Sequence, residues 1–165
     1  MPAWESINER EIRRGLSDES ETESAGRQLA ACLRAGDVVA LIGDLGAGKT
    51  RFVKAIAAAL EVPPEEVNSP TFTLIQEYAG RELLRHCDAY RLRDPDEFAD
   101  LGLDELFADD GIALIEWADR VTEYLPQDRI EIRLQIDSPT SRTITVKSTG
   151  NRSNRVLGEF RSCTE

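Results

Sequence analysis

A single α/β domain, with a mixed, mainly parallel central sheet and antiparallel C-terminal strands, is the fold class this sequence predicts, and three stretches predict it. Val38-Val39-Ala40-Leu41-Ile42 is a continuous apolar run of the kind a strand covered on both faces needs. Arg51 to Leu60 places Val53, Ile56, Ala57 and Leu60 on one helical stripe. Between them, Gly43-Asp44-Leu45-Gly46-Ala47-Gly48-Lys49-Thr50 satisfies the G-x-x-x-x-G-K-[ST] phosphate-loop pattern residue for residue.

Each part of that loop has a mechanical task. The glycines allow backbone turns that side chains forbid, so that successive N–H groups point into one anion-sized concavity. Lys49 brings a mobile positive charge to the outer phosphates, and Thr50 supplies a hydroxyl for Mg²⁺. The helix that starts here aims its unsatisfied N–H groups and positive dipole end at the same place. Strand, loop and helix in this order predict one P-loop NTPase domain that takes a nucleotide and a metal together.

The composition fits that reading. A chain of 165 residues suits one domain, which buries roughly 70% of the surface exposed when unfolded. An apolar share of 41% and a charged share of 31% are those of a globular protein, and no apolar run approaches the ~20 residues that cross a bilayer. Met1-Pro2-Ala3-Trp4-Glu5 has neither a basic start nor an apolar core, so the expected compartment is the cytoplasm and no membrane partner is expected. Cys32, Cys87 and Cys163 share no C-x-x-C spacing and read as reduced structural thiols. With one histidine in the chain, a His/Cys zinc site is not expected. A net charge of −11 opposes direct attraction to a polyanion.

In chain order, Glu11 to Leu16 reads as an opening strand and Asp18-x-x-Glu21 as a capping box. Thr22, Ala25, Leu29 and Leu33 recur at helical spacing, which puts Thr22 on the buried face, and Gly36 is placed to close the helix. Val62-Pro63-Pro64 stops the helix after the loop. Asn68 to Thr73 clusters hydroxyls around Pro70 and reads either as an ordinary turn or as a γ-phosphate sensor. Leu74 to Tyr78 and Glu82 to Asp88 read as two strands joined at Ala79-Gly80-Arg81.

The second of these ends in His86-Cys87-Asp88-Ala89-Tyr90-Arg91, so His86, Asp88 and Tyr90 share one face, functional or merely a polar edge. Asp94 to Asp110 carries eight carboxylates and no basic residue, and reads as short helices with either a solvated acidic face or a partner-docking one. Gly111 to Trp117 reads as a buried parallel strand delivering Glu116 to its C-terminal edge, where open α/β sheets place ligands. Glu116 and Asp88 compete for the metal, or share metal and attacking water. Arg129 to Ile136 and Arg142 to Lys147 alternate as antiparallel strands with one wet face. Residues 1–150 thus form the domain, and residues 151–165 read as a basic, flexible tail.

Together these segments resemble the bacterial TsaE (YjeE) ATPases, which act in making threonylcarbamoyladenosine in tRNA. The likeness is carried by Glu21-Thr22 with Gly26, the loop from Gly43 to Thr50, Ser69-Pro70-Thr71-Phe72-Thr73-Leu74, His86-x-Asp88-x-Tyr90-Arg91-Leu92 and Ile115-Glu116-Trp117. The resemblance implies ATP hydrolysis on TsaB- and TsaD-type partners, with tRNA engaged only indirectly. It implies that Asp44, Leu45, Gly46, Ala47, Gly48, Lys49 and Thr50 wrap the phosphates, that Thr50 and Glu116 hold Mg²⁺, and that Lys49 and Asp88 serve hydrolysis. It also places Thr22, Trp117 and Arg142 beside the nucleotide, Arg142 without a distinctive motif to fix it. Arg51 and Ala118 depart from the family's usual threonine and proline without removing a phosphate or metal ligand. The rival reading is a small-molecule P-loop kinase, which needs an arginine-bearing lid.

Overall fold

The computed structural model describes residues 3–67 and 74–164. The hydroxyl cluster Asn68 to Thr73 therefore lies outside the described residues. Among them, eight strands form one sheet in the order β1-β2-β8-β7-β3-β6-β5-β4. The strands are β1 Glu5–Asn8, β2 Glu11–Leu16, β3 Val38–Gly43, β4 Ile75–Ala79, β5 Leu83–Asp88, β6 Ile112–Glu116, β7 Ile130–Ile136 and β8 Arg142–Ser148. The helices are α1 Glu19–Ala30, α2 Lys49–Ala59, α3 Leu103–Leu106 and α4 Asn151–Thr164.

The expected mixed sheet is present, with its parallel ladders confined to the centre, where β7, β3, β6 and β5 run side by side. β1, β2, β8 and β4 join through antiparallel ladders. β7 carries both kinds, antiparallel to β8 as expected and parallel to β3. The outermost strand, β1, has no signal in the sequence reading, because all four of its residues are exposed and Ile7 alone is apolar, which sets no alternation.

Both faces of the centre are covered, which is why β3 and β6 are apolar without alternation. Val39 and Leu41 of β3 join one core cluster with α1, α2 and α4, while Val38, Ala40 and Ile42 join the other. That second cluster is closed by Phe98 of the 3₁₀ turn Pro95–Leu101, by Leu106 of α3, and by Val121 and Leu125, which follow the 3₁₀ turns Ala118–Arg120 and Thr122–Tyr124. The acidic stretch thus buries Phe98 and Leu106 in this core, packs Leu101, Leu103 and Phe107 against it, and leaves all its carboxylates but Glu97 exposed.

Asp18 caps α1, its Oδ1 accepting from the Glu21 amide at 3.0 Å, while Glu21 Oε2 accepts from the Ser17 amide at 2.5 Å. Two readings need correction. Gly36 does not close α1, which ends at Ala30; it turns the chain into β3 at φ +96° and donates to Gly111 O at 2.7 Å. The reading of 151–165 as a flexible tail is overturned over residues 151–164, where α4 runs through Thr164 and buries Ser153, Val156, Leu157 and Phe160. Those four recur at i, i+3, i+4 and i+7, one face of a helix, and only three of them are apolar. The Asp128 carboxylate accepts from the Arg152 and Ser153 amides at the start of α4, and Arg155 forks onto buried Asp37 at 3.0 and 2.8 Å. The basic residues that suggested a solvated tail are partly the ties that hold it.

Candidate functional site

The C-terminal edges of the parallel strands converge on the loop between β3 and α2. β3 must end in glycine, since a Cβ at Gly43 would lie 2.5 Å from Leu134 O of β7. Gly46 and Gly48 take φ of +82° and +111°, a region that side-chain-bearing residues rarely enter. These turns leave Asp44, Leu45 and Gly46 exposed at the rim while Ala47 and Lys49 are buried. α2 then starts at Lys49, so its free N-terminal amides face the concavity.

Lys49 points back onto its own loop. Its Nζ donates to Gly43 O at 2.5 Å and Asp44 O at 2.9 Å, and lies 4.0 Å from the centroid of the Trp117 ring. Burial holds its ammonium below the usual lysine range, against the pull of Glu116, Asp88, Asp119 and Asp44. Trp117 reaches this position because its backbone is left-handed, at φ 58° and ψ 38°. The strand cannot continue through such a residue, and the turn swings the indole over the lysine. Tyr90, half-exposed, packs against Trp117 with ring centroids 4.8 Å apart and the rings tilted by 34°.

Thr50, the second residue of α2, donates its hydroxyl to Glu116 Oε1 at 2.8 Å. Glu116 is the last residue of β6 and is 2% exposed. Its other oxygen, Oε2, lies 2.5 Å from His86 Nε2. Asp88 is the register partner of Glu116 across the parallel β5–β6 ladder, so the two carboxylates leave the sheet edge side by side. Asp88 Oδ1 accepts from the Tyr90 amide at 2.9 Å. Burial raises its carboxyl above the ordinary range; that amide works against the shift and the Glu116 charge adds to it.

The two remaining expected residues also lie at the loop. Thr22 is buried on α1, with its methyl 3.6 Å from where a Gly48 Cβ would stand. Arg142, the first residue of β8, spends its guanidinium on four backbone carbonyls: Ala47 O, Gly46 O, Ser138 O and Ser141 O. It braces the phosphate loop rather than extending a free charge. A cavity of about 520 Å³ opens beside Thr22, Gly46, Gly48 and Arg142, and another of about 290 Å³ beside Lys49, Thr50, Asp88, Glu116 and Trp117.

The structure therefore gathers around the loop the expected site residues that it describes, from Asp44 to Thr50 with Thr22, Asp88, Glu116, Trp117 and Arg142. Sequence reasoning missed Arg120, whose guanidinium donates to Ala89 O, Tyr90 O and Leu92 O and so fixes the turn that follows Asp88. An arginine in a short turn three residues after an aromatic carries no pattern that could have marked it. The alternative of a polar edge for His86 and Asp88 fails, because β5 lies between β6 and β4 and His86 is fully buried.

Chemically, the arrangement offers backbone donors and one ammonium for an anion, and beside them a hydroxyl and two carboxylates. Hard oxygen donors at the foot of an anion site suit Mg²⁺, which is commonly held by one or two carboxylates and by the phosphates it accompanies. Thr50 and Glu116 already touch, so the same pair can close on one small cation.

A family model described as "Threonylcarbamoyl adenosine biosynthesis protein TsaE" matches residues 16–144. The chain is 47% identical over 141 residues to a protein of Bacillus subtilis (strain 168) named tRNA threonylcarbamoyladenosine biosynthesis protein TsaE, covering 85% of this chain and 87% of the relative. A relative of the same name from Treponema pallidum (strain Nichols) is 42% identical, over 76% of this chain and 93% of its own. Among solved structures, the crystal structure of Bacillus subtilis YdiB superposes with a TM-score of 0.78 at 36% identity, covering 93% of this chain and 95% of its own.

Proposed function

We propose that this chain, which belongs to the TsaE family of tRNA threonylcarbamoyladenosine biosynthesis proteins, binds ATP with Mg²⁺ in the loop and hydrolyses it. In this reading, hydrolysis supports threonylcarbamoyl transfer to tRNA adenosine by cycling the chain on a complex of TsaB- and TsaD-type proteins, and tRNA is engaged only indirectly.

The observation that carries it is the Thr50–Glu116 hydrogen bond of 2.8 Å, which joins the head of α2 to the end of β6. A hydroxyl and a strand-end acid at that spot are the P-loop arrangement for holding Mg²⁺ against the outer phosphates. When bound, Mg²⁺ would neutralise the charge that develops there. The amides of residues 44–50 cradle the phosphates, and Lys49 exchanges its two loop carbonyls for phosphate oxygens. Asp88, one strand over, orients and accepts a proton from the attacking water. Arg142 keeps the loop in its binding shape, and Thr22 walls it beside Gly48.

Steady-state ATP hydrolysis with and without TsaB- and TsaD-type proteins tests the proposal. A rate that rises when both are present supports it. A rate that does not change with partners counts against the cycle, and a phosphorylated small molecule formed with stoichiometric ADP would favour the kinase reading instead.

A further inference from the structure

His86 is fully buried on β5, flanked across the ladders by Leu114 and Gln76, with the Tyr78 ring 6.2 Å away. Its Nε2 meets Glu116 Oε2 at 2.5 Å, and its Nδ1 has no hydrogen-bond partner among the described residues. Stranding a polar ring atom in a core is costly. A phenyl ring would fill much the same space without that cost, so what the imidazole adds is the single contact to Glu116.

The direction of that contact matters. Glu116 has two oxygens, and they face different ways: Oε1 accepts from Thr50 at the phosphate loop, while Oε2 is turned into the core toward His86. Without a donor on the core side, the carboxylate could swing both oxygens toward the loop or turn away from it altogether. We propose that His86 is the positioning residue for Glu116, its Nε2–H holding Oε2 in the core so that Oε1 alone is presented toward Thr50. The inference rests on the reading that Glu116 serves Mg²⁺, and it specifies that Glu116 does so through one oxygen. Partners one step behind a metal ligand typically cost about 10–100-fold in metal affinity when removed.

The test compares ADP affinity by calorimetry with Mg²⁺ and with EDTA, in the full chain, for wild type, Glu116→Gln, His86→Phe and His86→Gln. His86→Phe fills the space without a donor, whereas the amide of His86→Gln can still reach Oε2. The expected result is that His86→Phe binds ADP in EDTA as wild type does, loses about 10–100-fold of its Mg²⁺ enhancement, and that His86→Gln recovers most of it. If Glu116→Gln lowers the enhancement and His86→Phe does not, the positioning role is overturned while the metal reading stands. If Glu116→Gln leaves the enhancement intact, the metal reading fails and this inference with it. Because the chain has one histidine, ¹⁵N-histidine labelling gives an unambiguous spectrum of the wild-type protein without any variant having to fold. The Nε2–H form is expected, with its signals shifting when Mg²⁺ joins ADP; the Nδ1–H form would overturn the proposal.

Discussion

Lys49 Nζ lies 4.0 Å from the centre of the Trp117 ring and donates to two carbonyls of its own loop. A lysine so engaged must change partners to meet a phosphate, and the indole above it reports the change. In a Trp4→Phe background, Trp117 emission is expected to shift when ADP or ATP is added. Lys49→Ala should shift it without nucleotide, weaken nucleotide binding and abolish turnover. Emission indifferent to both would mean that the lysine does not move under Trp117.

Under the proposed function, Asp88 links stability to hydrolysis. Its carboxyl is raised above the usual aspartate range in the folded protein, chiefly by burial. The folded state therefore holds that proton more tightly than the unfolded chain does. Stability therefore falls as pH rises through the usual aspartate range and on through the raised value. Asp88→Asn removes the charge, so the variant should be more stable than wild type at pH 7, by urea midpoint. The advantage should shrink as pH falls toward 4. Hydrolysis should drop by about 10²–10⁴-fold, the usual contribution of a positioned acid or base, while ADP still binds.

Arg142 divides one guanidinium among four carbonyls, two of them in the phosphate loop. A lysine cannot reproduce that planar fork. Arg142→Lys should weaken ADP binding about tenfold or more, as expected for lost hydrogen bonds to a charged group, with the Mg²⁺ enhancement unchanged. Calorimetry with and without Mg²⁺ separates this loop-bracing effect from a metal effect.

α4 belongs to the main core, where Phe160 is 1% exposed and meets Trp4 edge-on at 5.0 Å. Phe160→Ala should cost about 3–5 kcal/mol, or roughly 6–20 °C in Tm for a domain of this size. A loss within a degree or two in thermal unfolding would show that the helix is not part of the cooperative unit.

Much of the centre was legible in the sequence, because β3, the loop, α2 and β6 combine an apolar run, a glycine pattern and a strand-end acid that few other structures need. Local signals also placed α1 through the Asp18 cap and the β4–β5 hairpin through Gly80. α4 was hidden because its apolar face holds only Val156, Leu157 and Phe160, and its ties to Asp37 and Asp128 come from remote parts of the chain. β1 was hidden because pairing with β2, rather than burial, makes it a strand. At the site, proximity followed from the motifs and the family resemblance, but engagement did not. That Arg142 is spent on carbonyls and that His86 faces Glu116 depend on the register of β8 and β5, which no spacing in the sequence reveals.

In the proposed function, the loop, Thr50 and Glu116 together take a nucleotide with its metal. Titrating the full chain with ATP by calorimetry, in Mg²⁺ and in EDTA, tests it most directly. The expected result is saturable binding that is tighter in Mg²⁺ and loses that difference in Glu116→Gln. No binding heat in Mg²⁺, with the protein folded by circular dichroism and competing ADP equally silent, would contradict it.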